Sequence, residues 1–167
     1  FDRSKMPLPG ANPELKVPEV WKKSLPGGIS VMGSVYDELP IVNLQIKIPG
    51  GHLAMANDTA KLGLQGIVAD MLNEDSKNYT AEAMAIELQK LGSSISVSDN
   101  IDGITYSLQS LKKNLAPTLA LLQEKLLQPL FTEEAFSRIK KQTLESFRQR
   151  KSQPSVIANE VIDKLNF

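Results

Sequence analysis

Hydrophobic and polar positions follow two periods along this chain. Val42, Leu44, Ile46 and Ile48 are separated by Asn43, Gln45 and Lys47. A period of two sends alternate side chains to opposite faces of a pleated strand, so this run predicts a half-buried β-strand. Ile29, Val31 and Val35 alternate more loosely before it. The turn-forming stretch Asp37-Glu38-Leu39-Pro40 between the two runs predicts a hairpin, and Pro49-Gly50-Gly51 ends it. A second hairpin follows the same logic. Ile95 and Val97 alternate with Ser94, Ser96 and Ser98, Asp102-Gly103 supplies a turn, and Ile104, Tyr106 and Leu108 alternate with Thr105, Ser107 and Gln109.

Between and after the hairpins the period lengthens to that of a helix. Leu64, Ile67, Val68, Met71 and Leu72 share one helical face. Gly63 and Gly66 near its start weaken it by propensity. Thr80 reads as an N-cap with Glu82 in the first turn, Met84, Leu88 and Leu91 as a buried stripe, and Gly92 as the stop. Leu115, Leu119, Leu122 and Leu126 mark a further helix ending before Pro129. Thr132 with Glu133 and Glu134 caps the next, whose stripe is Phe136, Ile139, Thr143, Leu144 and Phe147. Pro154 suits a first helical position, and Ile157, Val161 and Leu165 carry the last helix to the chain end. Strands followed by helices, twice over, predict an α+β domain with a mixed or antiparallel sheet and helices packed on one face.

The first residues read differently. Pro7, Pro9, Pro13 and Pro18 fix φ and remove backbone donors, so residues 1–22 are expected to form a proline-rich linker. Residues 23–167 are then one domain, expected to be truncated at its C-terminus. A chain that starts with Phe1 is expected to be a processed or excised piece of a longer protein.

Composition narrows the chemistry. With no cysteine and one histidine, the chain cannot build thiolate zinc sites, disulfides, iron–sulfur clusters or two-histidine zinc motifs. Nineteen basic and nineteen acidic residues cancel, so nothing resembles the basic face of a nucleic-acid binder. No apolar run reaches the roughly 20 residues of a membrane span.

Few residues invite a chemical role. His52 follows Gly50-Gly51 and reads as an exposed loop histidine. Asp70, Glu74 and Asp75 form an acidic group in which Asp70 and Glu74 share a helix face. Two carboxylates there could hold a hard cation, but no calcium-loop pattern surrounds them. They also oppose the dipole of a helix C-terminus, a reason to expect a cationic partner. Gly27-Gly28 and Gly50-Gly51 match no phosphate-binding motif and read as turns. Asn78-Tyr79-Thr80 fits a glycosylation triplet, which the cap reading of Thr80 already explains.

The segment Leu62-Gly63-Leu64-Gln65-Gly66-Ile67-Val68-Ala69-Asp70-Met71-Leu72-Asn73-Glu74 resembles the zinc helix of the pitrilysin/insulinase family of metallopeptidases, whose active members read roughly G-L-A-H-L-L-E-H-M-L-F-K-G-T. Gly63, Leu64, Met71 and Leu72 match. The chemical positions do not: the first histidine falls on Gly66, the catalytic glutamate on Ala69 and the second histidine on Asp70. A downstream carboxylate ligand would fall on Glu145 or Ser146. Leu25-Pro26-Gly27-Gly28-Ile29, Asn78-Tyr79-Thr80, Leu91-Gly92, Phe131-Thr132-Glu133-Glu134 and the Arg148–Pro154 stretch resemble the family in the same order. The resemblance implies a non-catalytic αβ domain with no metal or catalytic residue of its own. It implies zinc in a catalytic half, on the same or a partner chain, and a chamber that takes unfolded peptide. Peptide capture would use a sheet edge, at the strand of Val42, Leu44 and Ile46 or that of Ile104, Tyr106 and Leu108. A scaffold subunit of the same fold is the alternative. A bacterial periplasmic or envelope location follows from family habit alone.

Overall fold

The structure, a computed structural model, describes residues 10, 17–36, 38–51 and 58–166. The chain divides into two compact units, residues 1–39 and 40–167. In the first, β1 (Val20–Ser24) pairs antiparallel with β2 (Ser30–Ser34), in register from Val20 opposite Ser34 to Ser24 opposite Ser30. Gly27 and Gly28, at φ 87° and 83°, make the reversal, and the Leu25 amide donates to the Ile29 carbonyl at 2.8 Å. Left-handed φ at consecutive positions is open to glycine at little cost. The Trp21 indole lies against Gly33, where a Cβ would come within 2.5 Å of the ring.

The second unit holds the sheet and the helices. β3 (Ile41–Pro49), β4 (Ser94–Asn100) and β5 (Gly103–Leu111) form a three-stranded antiparallel sheet in the order β3-β5-β4. The helices are α1 (Leu64–Asn73), α2 (Ala81–Lys90), α3 (Leu115–Leu127), α4 (Glu133–Lys151) and α5 (Pro154–Asn166). Register puts Leu44 and Ile95 beside Leu108, and Ile46 and Val97 beside Tyr106. These side chains point to one face, where they pack with Val68 and Leu72 of α1 and Leu115, Leu122 and Leu126 of α3. A second cluster joins Met84 and Leu88 of α2 to Leu121 of α3. The other face carries Asn43, Gln45, Lys47, Ser94, Ser96, Ser98, Ser107 and Gln109. This is the α+β architecture that the alternating runs predict, with helices on one side of an antiparallel sheet.

Three local expectations change. The first expected hairpin does not form as drawn: Ser30–Ser34 takes Val20–Ser24 as its partner, and Ile41–Pro49 takes Gly103–Leu111. The tight glycine turn favours the nearer partner for β2, and nine residues of matched alternation favour β5 for β3. Strand β1 also runs across the expected linker boundary at residue 22; most of the linker lies outside the described residues. Finally, Leu64 is 43% exposed while Gln65 and Ala69 are buried, so the buried face of α1 is rotated from the one the apolar spacing marks. The caps hold. Thr80 accepts from the Ala83 amide at 3.1 Å, and Thr132 from the Ala135 amide at 3.2 Å.

Candidate functional site

Helix α1 carries the positions where the family's chemistry would sit. Its start is unusual, because the N-cap is Gly63 in the left-handed region at φ 84° and offers no side-chain oxygen. Gln65 anchors this end instead. Its Nε2 donates to the Asn100 carbonyl at 2.8 Å and the Gly103 carbonyl at 2.7 Å, tying the helix to the β4–β5 turn. Gln65 is 4% exposed, and its Oε1 has no hydrogen-bond partner among the described residues. Gly51 fits against this amide only as glycine. At φ 74° it is left-handed, and a Cβ would lie 2.6 Å from the Gly103 amide nitrogen and 2.8 Å from Gln65 Oε1.

The three degenerate positions occupy different surroundings. Gly66 is half-buried, and a Cβ there would meet an Asp99 carboxylate oxygen at 3.6 Å, an ordinary contact. Ala69 is 2% exposed, within the core. Asp70 is exposed; its remaining burial, then Asp99, then Glu74 push its carboxyl above the ordinary value. Zinc hydrolysis needs three protein ligands, an open water position and a base near that water. Gly66 and Ala69 have no side-chain donor atom, and Asp70 alone is one weak ligand. The residues present do not fit a zinc centre.

The acidic group is taken apart by the fold. Glu74, the C-cap of α1, forms an ion pair with Arg138 of α4 at 2.5 Å, the cationic partner that the opposed dipole calls for. Asp75 accepts from the Ala81 amide at 2.7 Å and so caps α2 beside Thr80. Buried Lys125 of α3 also faces Glu74; burial lowers its ammonium pKa, and Glu74 partly restores it. Among the described residues, no three His, Cys, Asp or Glu side chains gather as a metal-holding group. Glu145 and Ser146 are exposed on α4, and Glu145 pairs with Arg148 at 2.5 Å. His52 lies outside the described residues. Asn78 has its side-chain amide donating to Glu124 at 3.1 Å.

The two expected peptide edges differ. β5 is the central strand, paired on both sides, so Ile104, Tyr106 and Leu108 offer no free edge. β3 is an edge strand. The Lys112 amide donates to the Pro40 carbonyl at 2.8 Å, and the Gly50 amide to the Asp102 carbonyl at 2.9 Å. Bonded pairs in an antiparallel ladder recur every second residue. The backbones of Val42, Leu44 and Ile46 therefore face β5, and those of Asn43, Gln45 and Lys47 face away from it. The alternating pattern marks the strand but the wrong half of its residues, because side-chain alternation shows faces and not hydrogen-bond parity.

Two further residues had no sequence signal. Asn73 closes the C-terminal end of α1 onto β4: its Oδ1 accepts from the Val97 amide at 3.0 Å, and its Nδ2 donates to the Val97 carbonyl at 2.7 Å and the Ala69 carbonyl at 3.0 Å. Thr118 of α3, fully buried, joins Ser93 and Ser110 in a hydroxyl cluster at 2.9 to 3.0 Å that pins α3 to the sheet.

Comparison with known proteins agrees with this geometry. Residues 32–166 match the family described as Insulinase (Peptidase family M16). A curated protein of Helicobacter pylori, named "Non-peptidase homolog YmxG", is 29% identical over 121 residues, covering 71% of this chain and 28% of its own length. The crystal structure of a peptidase M16 inactive domain from Pseudomonas fluorescens superposes with a TM-score of 0.75 at 27% identity, over 84% of this chain and 34% of that one. A protease from Helicobacter pylori shares the fold at a TM-score of 0.71 and 18% identity, again over 84% and 34%. The chain thus spans about a third or less of the proteins it matches. Among the described residues, no helix is long and apolar enough to cross a membrane. On the family match over most of its length, this chain belongs to the insulinase (peptidase M16) family.

Proposed function

We propose that this chain is a non-catalytic domain that forms part of a peptide-binding chamber and docks a catalytic half carrying zinc. The observation that carries the reading is the state of α1. Val68 and Leu72 keep the helix packed on the sheet, while the positions for ligand, base and ligand read Gly66, Ala69 and Asp70. The chain keeps the body of a peptidase domain without its chemistry, which suits a wall and not a blade. The backbones of Asn43, Gln45 and Lys47 on β3 offer an edge for extended peptide, where main-chain hydrogen bonds accept many sequences. A periplasmic or envelope location belongs to the same proposal.

The test mixes the purified chain with an M16 chain that keeps H-x-x-E-H. A stable complex whose peptide hydrolysis exceeds that of the catalytic chain alone, and is lost with chelator, supports the reading. Chelator-sensitive cleavage by this chain alone, or the absence of any complex, overturns it. The name of the Helicobacter relative, a non-peptidase homologue, favours a second reading in which the parent protein contains no peptidase and this fold serves as a scaffold. An intact H-x-x-E-H elsewhere in the parent sequence decides between them.

A further inference from the structure

The sheet has a second edge, at β4, and it is treated differently from β3. Parity fixes which β4 residues face outward. Val97 lies opposite Tyr106, whose backbone is committed to Ile46 of β3. Val97 therefore turns its own amide and carbonyl away from the sheet, as do Ile95 and Asp99. An outward-facing residue of this kind is where an added strand makes its two bonds.

At Val97 both groups are already taken. The Asn73 carboxamide presents an acceptor to the amide at 3.0 Å and a donor to the carbonyl at 2.7 Å. This is the acceptor-and-donor pair that the opposing residue of an antiparallel strand would present. Its second amide proton goes to the Ala69 carbonyl at 3.0 Å, which fixes the side chain on its own helix. The same edge passes Gly66, with the Asp99 carboxylate 3.6 Å from where a Cβ would stand. Gly66 and Asp70, two of the three emptied positions, thus lie beside Asp99 on the strand whose backbone is closed.

We propose that β4 carries a latent edge for extended peptide, held shut by Asn73 acting as a one-residue mimic of the missing strand. The inference stands apart from any peptide capture at β3, because it concerns the difference between the variant and the unmodified chain at β4. Opening the edge exposes two backbone groups that an extended peptide can satisfy.

Amide hydrogen exchange by NMR on the full chain tests the contact. In the unmodified chain the Val97 amide should exchange within about tenfold of Ser96 and Ser98, which face β5. Asn73→Ala should speed exchange at Val97 by about tenfold or more while Ser96 and Ser98 hold their rates. A fluorescein-labelled peptide of alternating threonine and valine then reports the edge. Asn73→Ala should bind it more tightly than the unmodified chain, with protection returning at Val97 and not only at Gln45 and Lys47. Asn73→Ser replaces the alanine variant if that one does not fold. Fast exchange at Val97 in the unmodified chain overturns the proposal. So does a folded variant that binds the peptide no better, or binds it with protection at β3 alone.

Discussion

The two sides of helix α1 have had opposite fates. One side packs Val68 and Leu72 against Val97, Tyr106 and Leu108 and holds the helix to the sheet. The other passes Gly66 and Asp70 along the outer side of β4, and it holds neither the histidines nor the glutamate of an active relative. Burial of apolar surface is non-directional and survives many substitutions that keep volume. A metal site needs particular donor atoms at particular distances, and one substitution can end it. The difference teaches that fold and chemistry are carried by separate faces of a single helix and can be lost separately.

That separation has a weak point at Ala69, which belongs to both sides, and substitutions there and beside it test it. The largest effect is expected from Leu72→Ala, which removes a core side chain shared by helix and sheet. Urea unfolding should show a loss of about 3 kcal/mol or more. If the loss is below about 1 kcal/mol, the packing face does not hold the helix.

Ala69→Glu comes next. The residue is 2% exposed, so the new carboxylate would be desolvated, at a cost of about 2 to 3 kcal/mol in the same assay. A neutral result would mean that the base position opens to water, and that rebuilding the motif is limited only by Gly66 and Asp70. On the outer side the sign should reverse. Gly66→Ala meets nothing closer than the Asp99 carboxylate at 3.6 Å and restores helix propensity, so stability should rise by about 0.5 to 1 kcal/mol.

The smallest effect belongs to Asp70→Asn. Burial, Asp99 and Glu74 raise the carboxyl pKa in the folded chain. The folded state therefore binds this proton more tightly than the unfolded chain does. Stability is lost as pH rises from the ordinary aspartate value, about 3.9, through the raised folded value. A carboxamide at this position does not titrate, so the variant should gain stability at pH 7 by about a few tenths of a kcal/mol, given the solvent around this group. The gain should vanish below about pH 4. Melting temperatures at both pH values check it, and a loss at pH 7 would show that the charge is favourable where it stands.

Much of this was legible from local pattern. Alternation at Val42–Ile48 and Ile104–Leu108 marks strands because period two is a property of the backbone. Thr80 and Thr132 announce helix starts because a cap bonds three residues away. The degenerate zinc helix was readable from Gly66, Ala69 and Asp70, since a missing donor atom is visible without coordinates. Strand partners were less so. The expected hairpin gave way because alternation states which residues form a strand, while pairing depends on which complementary strand the fold brings alongside.

The residues that fasten the helix were invisible for a related reason. Gln65 bonds to a carbonyl 38 positions away, and Asn73 reads the backbone of Val97 from 24 positions away. An amide side chain in a helix carries no mark of such a partner. The chain alone determined the class of fold and the capped helix starts, because these are set by local spacing. Its resemblance to the family marked Gly66, Ala69 and Asp70 as emptied zinc positions, because a missing donor atom is side-chain chemistry. Tertiary structure alone decided that β5 is central, that Ala69 is sealed from water and that Asn73 occupies the edge of β4. These are matters of which distant groups meet, and only the packed chain fixes them.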